Sequence, residues 1–202
     1  MNSGPTAERI YDAIKRRVLG HEFRPGERLD PARLGDELHS SVTPVRDALH
    51  ILTGEGLVET RTSEGFHVPA IDAPALQDLY QWNAQILLLA LRAWPRGKVE
   101  IAHEAEDPRF DGENGTARLF AQIAALSINA EHSRAIASAN DRLLSARLAE
   151  GHVLPEPDAE NDAMALALSR RDTTALRPLI LAYHRRRDRA AAAIVRALYR
   201  QL

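Results

Sequence analysis

Three side chains at helical spacing carry the first chemical signal. Thr43, Arg46 and His50 stand at i, i+3 and i+7, and so share one face of a helix. A guanidinium on an exposed helix face can reach a base edge or a phosphate, and arginine to guanine is the commonest specific base contact. Ser41 stands just ahead of that helix. Its hydroxyl can cap the helix, and with the free backbone N–H groups of the first turn it can hold a phosphate. Gly65 and His67 belong to a hairpin whose tip, Thr62-Ser63-Glu64-Gly65, is slim enough to lie along a groove. The plain alternative for Arg46 is an ion pair with Asp47 or Glu55 on a solvated face.

Other chemistries find less support. There is no cysteine, which excludes disulfides, thiol catalysis and thiolate zinc sites. His103-Glu104-Ala105-Glu106-Asp107 is half of a metalloprotease helix motif without its second histidine, and reads as a charged surface helix. No Ser–His pair or paired carboxylates point to an enzyme. The chain has 202 residues, 45% hydrophobic and 27% charged, which suits one large globular domain or two small ones. No apolar run approaches the ~20 residues of a membrane span. The N-terminal stretch lacks an apolar signal core, so a cytoplasmic protein is expected. The net charge of −2 gives no basic field for attracting nucleic acid.

The elements that must position these residues change character near residue 70. Ile10, Ile14 and Val18 mark a first helix, which Gly20 can end. Pro25-Gly26 specifies a type II turn. Asp30-Pro31 reads as an N-cap followed by proline at the first helical position, opening a short helix to about Leu38. A third helix follows Ser41, burying Val45, Ala48, Leu49 and Leu52, and Gly54 and Gly56 stop it. The runs 57–61 and 66–68 read as two short strands. Three helices and a hairpin make a winged helix-turn-helix over residues 1–71. Residues 72–202 read as helical throughout, with breaks at 94–97, 106–115, 151–157 and 171–172. A short helix is expected at about 99–105, for a bundle of about six helices. The fold class is therefore mostly α: a winged head and an all-α bundle. The run 185–189, four arginines and an aspartate, reads as a solvated face of the last helix.

Phe23-Arg24-Pro25-Gly26-Glu27-Arg28-Leu29, then 41–49, then Glu55-Gly56-Leu57-Val58, occur in order at the spacing of the GntR-family transcription regulators. Residues 8–69 resemble that family. The helical segment is similar to the ligand-binding (FCD) domain of the FadR subfamily, nearest its VanR-type branch. The resemblance implies a DNA-binding regulator, more often a repressor, that reads a palindromic operator as a homodimer. It implies Arg28, Arg33, Ser41, Val42, Thr43, Arg46, His50, Gly65 and His67 as the DNA-contacting set. Two positions depart from the family: Val42 stands where arginine is usual, and Ala32 stands beside Arg33 where the second helix usually carries one. Residues 1–71 hold nine Lys or Arg against eleven Asp or Glu. Binding is then expected to be weaker or unusually selective, with Val42 able to touch a thymine methyl.

Relatives in that subfamily hold a divalent metal with one Asp and three His, and a carboxylate effector sits on the metal. Here those positions fall at Thr116 or Ala117, Phe120 or Ala121, Asn161, and Tyr183 or His184, while Asn83 replaces a pocket arginine. The resemblance therefore implies no metal and no cofactor. It implies instead a pocket of Tyr80, Trp82, Asn83, Phe120, Asn129, Asn161 and Tyr183, apolar with amide edges, suited to a neutral or larger small-molecule effector. His184 is expected to be a satisfied helix histidine, with a ligand role as the lesser alternative. Two readings stay open: these residues simply fill a core and no effector binds, or the head has lost DNA and serves only protein interaction.

Overall fold

The computed structural model describes residues 4–62, 64–95 and 115–201. The chain divides into two compact units, residues 1–71 and 72–201. The expected helix at 99–105, the His103-Glu104 motif and the hairpin-tip Ser63 lie outside the described residues. No described helix is long and apolar enough to cross a membrane.

The first unit runs α1 (Gly4–Leu19), β1 (Arg28–Leu29), α2 (Pro31–Glu37), α3 (Val42–Gly54), β2 (Glu59–Arg61) and β3 (Gly65–His67). Ile10 and Ile14 of α1 bury completely against Val45, Leu49 and Leu52 of α3, the periodic positions that a helix must cover. Tyr11 and Lys15 of α1 both reach Glu55 past the end of α3, at 2.5 and 2.8 Å, and so fix the crossing of the two helices. Gly26 sits at φ 82° in its turn, a conformation that glycine adopts without cost. Asp30 caps α2 by accepting from the N–H groups of Ala32 and Arg33, with Pro31 following.

Three features of this head differ from the sequence reading. The hairpin is part of a three-stranded antiparallel sheet, ordered β1-β3-β2, with Leu29 opposite Phe66. A two-residue strand is too short to show alternation, so β1 left no period to read. Leu57 and Val58 are buried but stand before β2 rather than in it. Ser41 occupies the N-cap position of α3 yet makes no side-chain cap hydrogen bond.

The turn between α2 and α3 depends on a glycine that periodicity does not mark. Gly35 is buried, and a Cβ built there would lie 2.9 Å from the Ser40 carbonyl oxygen. Its own carbonyl accepts from Ser40 N–H at 2.8 Å, which closes the turn.

The second unit contains, among the described residues, α4 (Ala73–Arg92), α5 (Gly115–Ala125), α6 (Ala130–Glu150), α7 (Pro157–Ser169) and α8 (Thr173–Gln201). Its apolar core draws on all five, through Leu87, Phe120, Ile123, Ile136, Met164, Leu176 and Ile180 among others. Trp94 Nε1 donates to the Ile123 carbonyl at 2.9 Å, which ties the end of α4 to α5.

Candidate nucleic-acid interface and bundle core

The α3 face predicted for base contact is presented as expected. Val42, Thr43, Arg46 and His50 are all exposed, and the opposite face packs inward. Arg46 forms no ion pair among the described residues. The Glu55 carboxylate that could have claimed it is held by Lys15 and Tyr11 instead. The His50 ring meets Phe66 of β3 edge-on, with centroids 4.9 Å apart, so α3 and the wing hold each other. An Ile51 that is 54% exposed extends the same surface.

The remaining head residues divide. Arg28 is exposed on β1, opposite His67 in the sheet register, with no ion pair among the described residues. Arg33 is exposed on α2, paired with Glu37 at 3.1 Å one turn later. Gly65 opens β3 at φ 84°. His67 is a correction: it is 6% exposed, with Nδ1 3.3 Å from the Gly65 carbonyl, so it supports the wing from inside rather than lying along a groove. Third in a strand of three, it points to the face opposite its neighbour Phe66, and both are buried. Sequence reasoning missed Arg24. It is exposed, its backbone N–H donates to Glu27, and like Arg28 and Arg46 it makes no ion pair with a described carboxylate. By contrast Lys15, Arg17 and Arg61 are all held by glutamates.

The residues expected to line an effector pocket come together only in part. Tyr80, Asn83, Phe120, Tyr183 and His184 are fully or almost fully buried in one cluster. Phe120 stacks on His184 at 5.5 Å and meets Tyr183 edge-on at 5.2 Å. Asn161 is half-buried and accepts from the Thr116 hydroxyl at 3.0 Å. Asn129 is exposed and caps α6 by accepting from Glu131 N–H. Trp82 is 50% exposed, on the outer face of α4. Both therefore leave the expected pocket: one position precedes a helix start, the other falls on the polar side of the helical period.

The cluster is also far more charged than the sequence reading. Arg187, taken as part of a solvated face, is 1% exposed. Its Nε meets Glu150 at 2.7 Å and its Nη1 meets Glu160 at 2.6 Å, while its guanidinium lies 3.3 Å from the Tyr183 ring centre. Despite its burial, these anions hold its pKa above the ordinary arginine value. Tyr80 donates to the other Glu150 oxygen at 2.7 Å, and burial with that carboxylate pushes the phenol strongly upward. Arg147 is buried too, over the Phe120 ring, and donates to Asn140 at 2.9 Å. Arg147, Glu150 and Asn140 escaped sequence reasoning because α6 is polar and apolar residues alternate around it without a clear stripe.

His184 is the satisfied helix histidine. Nδ1 lies 2.7 Å from the Ile180 carbonyl, and Nε2 lies 2.8 Å from the Asn83 carboxamide. Burial, reinforced by Arg147 and Arg187 against the Ile180 bond, pushes its pKa down to about 3. The ring is therefore neutral and has one N–H, which Nδ1 gives to Ile180. Nε2 lies against the Asn83 Oδ1, and the Asn83 Nδ2 has no hydrogen-bond partner among the described residues. Among the described residues no three of His, Cys, Asp or Glu are grouped to hold a metal ion.

The first unit is thus a winged helix-turn-helix with an exposed recognition-type helix, and the second an all-helical bundle. Residues 6–68 match the family model described as bacterial regulatory proteins of the gntR family. The head is thus similar to the heads of that family. It is similar to the Nta operon transcriptional regulator of Aminobacter aminovorans, 39% identical over 75 residues, which cover 37% of this chain and 36% of that protein. It is also similar to the HTH-type transcriptional regulator YdhC of Bacillus subtilis, 26% identical over 82 residues, 41% of this chain and 37% of that protein. The chain thus spans about a third of the length of these curated relatives. In fold, it resembles a transcriptional regulator GntR from Rhodococcus sp. RHA1, with a TM-score of 0.76 at 20% identity over 94% of this chain and 98% of that one. It also resembles E. coli McbR/YncC, with a TM-score of 0.62 at 17% identity over 96% and 97% of the two chains.

Proposed function

We propose that this chain is a transcription regulator, most simply a repressor, that binds a palindromic operator in double-stranded DNA as a homodimer. The observation that carries the reading is the exposed, unpaired Arg46 on α3 of a GntR-family head. In this reading α3 enters the major groove, where Arg46 takes a guanine edge and Thr43 and Val42 meet neighbouring bases or a thymine methyl. Arg24 and Arg28 supply phosphate contacts, and Ser41 with the start of α3 adds another. Two-fold symmetry of the dimer sets the half-site spacing. The helical unit dimerises and takes a small-molecule effector whose binding changes how the two heads fit the operator. The similarity of the head to two transcriptional regulators supports this reading. A gel shift on the DNA upstream of the protein's own gene tests it: a complex whose affinity falls only gradually with salt is expected, and Arg46→Ala is expected to weaken it by about 1–3 kcal/mol.

A further inference from the structure

One helix of the bundle carries a charge that the rest of the chain opposes. Helix α8 holds seven arginines and one aspartate, so it is +6 in a chain of −2, and everything outside it sums to −8. Four of these arginines form a row. Arg185, Arg189, Arg196 and Arg200 stand at i, i+4, i+11 and i+15, within about 60° of one another around the helix and over roughly 22 Å of its length. All four are exposed, and none makes an ion pair among the described residues. The carboxylates nearest to them are engaged elsewhere. Asp188 accepts from Gln81 of α4 at 3.0 Å, and Glu160 is held by Arg186 and Arg187. Arg185 donates from Nε to the Leu181 carbonyl, one turn back. Like charges one turn apart repel, as Arg185 does Arg189 and Arg196 does Arg200, so an anion laid along the row would relieve the helix.

The surface between the arginines says which anion. A groove of about 440 Å³ is lined by Ala182 and Ala190 together with Arg185, Arg186 and Arg189, and Ala192 and Ala193 lead from it towards Arg196. Tyr199, 44% exposed, stands at the far end. From Ala175 to Tyr199 the helix has no lysine, serine, threonine, asparagine or glutamine, the donors that accompany arginine on a phosphate backbone. A mid-helix face also offers no free backbone N–H. Arginine beside an aromatic and without lysine is instead the composition of a protein interface. The guanidinium fork matches a carboxylate through two parallel hydrogen bonds, and small side chains beneath it let a second helix approach to about 8–10 Å between axes. We infer that the outward face of α8 docks an acidic α-helix of another protein, whose carboxylates stand at the same i, i+4, i+11 and i+15 spacing. Among the described helices of this chain none carries four carboxylates in such a row, so a second copy does not supply it. Such docking needs neither DNA on the head nor an effector in the bundle.

The test uses the whole chain in fluorescence anisotropy at low ionic strength, where exposed pairs are least screened. The probe is a fluorescein-labelled, alanine-rich helical peptide with glutamates at i, i+4, i+11 and i+15. One control peptide carries glutamines there, and a second carries the four glutamates spread around the helix. Saturable binding of the probe is expected, with both controls at least about tenfold weaker. Arg185→Gln, Arg189→Gln, Arg196→Gln and Arg200→Gln combined should weaken the probe by at least about tenfold as well. The Arg46-dependent DNA complex should persist in that variant. Should it not fold, the pair Arg189→Gln and Arg196→Gln decides in its place. No saturable binding, equal binding of either control, or full binding by the quadruple variant would each overturn the docking face. So would an unrelated DNA duplex, or vesicles of phosphatidylglycerol, whose binding the four substitutions weaken as much as the probe's, since the row would then be a phosphate surface.

Discussion

Among the described residues neither Arg46 nor Arg147 has an ion-pair partner, and their surroundings are opposite. Arg46 stands in water on α3, where an unpaired cation costs almost nothing. Arg147 stands inside the bundle, where the same charge is expensive. The two units therefore expose their chemistry by different rules. In the head, glutamates hold Lys15, Arg17, Arg33 and Arg61, while Arg24, Arg28 and Arg46 make no ion pair among the described residues. In the bundle, the Arg147 Nε and Nη2 have no hydrogen-bond partner among the described residues. Burial turns an ordinary side chain into a signal, and exposure makes one ambiguous until its fold is known.

The largest expected effect sharpens that contrast within the core itself. Arg187→Met strands Glu150 and Glu160 and should cost about 3–5 kcal/mol in chemical denaturation. Arg147→Met removes a charge that nothing balances, at the expense only of its bond to Asn140, and should change stability by no more than about 1 kcal/mol. Equal losses in the two variants would break the distinction between a paired and an unpaired buried cation.

His184 gives the next effect. The unfolded ring takes up a proton below its ordinary 6.5, whereas the folded ring stays neutral down to about 3. The unfolded state thus binds more protons in that window, and stability falls as pH drops from 6.5 towards 3. The contribution is at most about 1.4 kcal/mol per pH unit. A His184→Gln variant should lose this part of the slope, and an unchanged slope in pH-dependent denaturation would assign it elsewhere. In the head, Gly35→Ala forces a Cβ against the Ser40 carbonyl and should cost about 1–3 kcal/mol in melting experiments. Smallest is Ser41→Ala, which loses no cap bond and should stay under about 0.5 kcal/mol in stability while weakening DNA binding.

The head was legible in the sequence to the level of individual contacts. Pro25-Gly26, Asp30-Pro31 and the buried period of α3 each express a local rule, and local rules are written in local residues. What escaped were features that depend on partners far along the chain. Strand β1 exists only because β3 pairs with it, and the inward turn of His67 follows from the same sheet. The bundle was less legible for the same reason. Its helices could be placed, but Arg187 looked like surface because four arginines in five residues describe a charged run, not which one faces inward. Only the carboxylates on α6 and α7 decide that. Asn83 and His184, expected separately as a pocket residue and a helix histidine, meet as a buried pair, while Asn129 and Trp82 stand exposed, because both positions depended on helix phase rather than composition.

The central claim is that the head binds DNA through a few placed side chains rather than through a basic field. Affinity for the upstream DNA, measured across a salt series for wild type and Arg46→Ala, tests it most directly. The account predicts a tight wild-type complex with a shallow salt dependence, set by the few free arginines. It predicts that Arg46→Ala loses roughly 1–3 kcal/mol of affinity on the cognate site. No complex even at low salt, or equal affinity in Arg46→Ala, would contradict it.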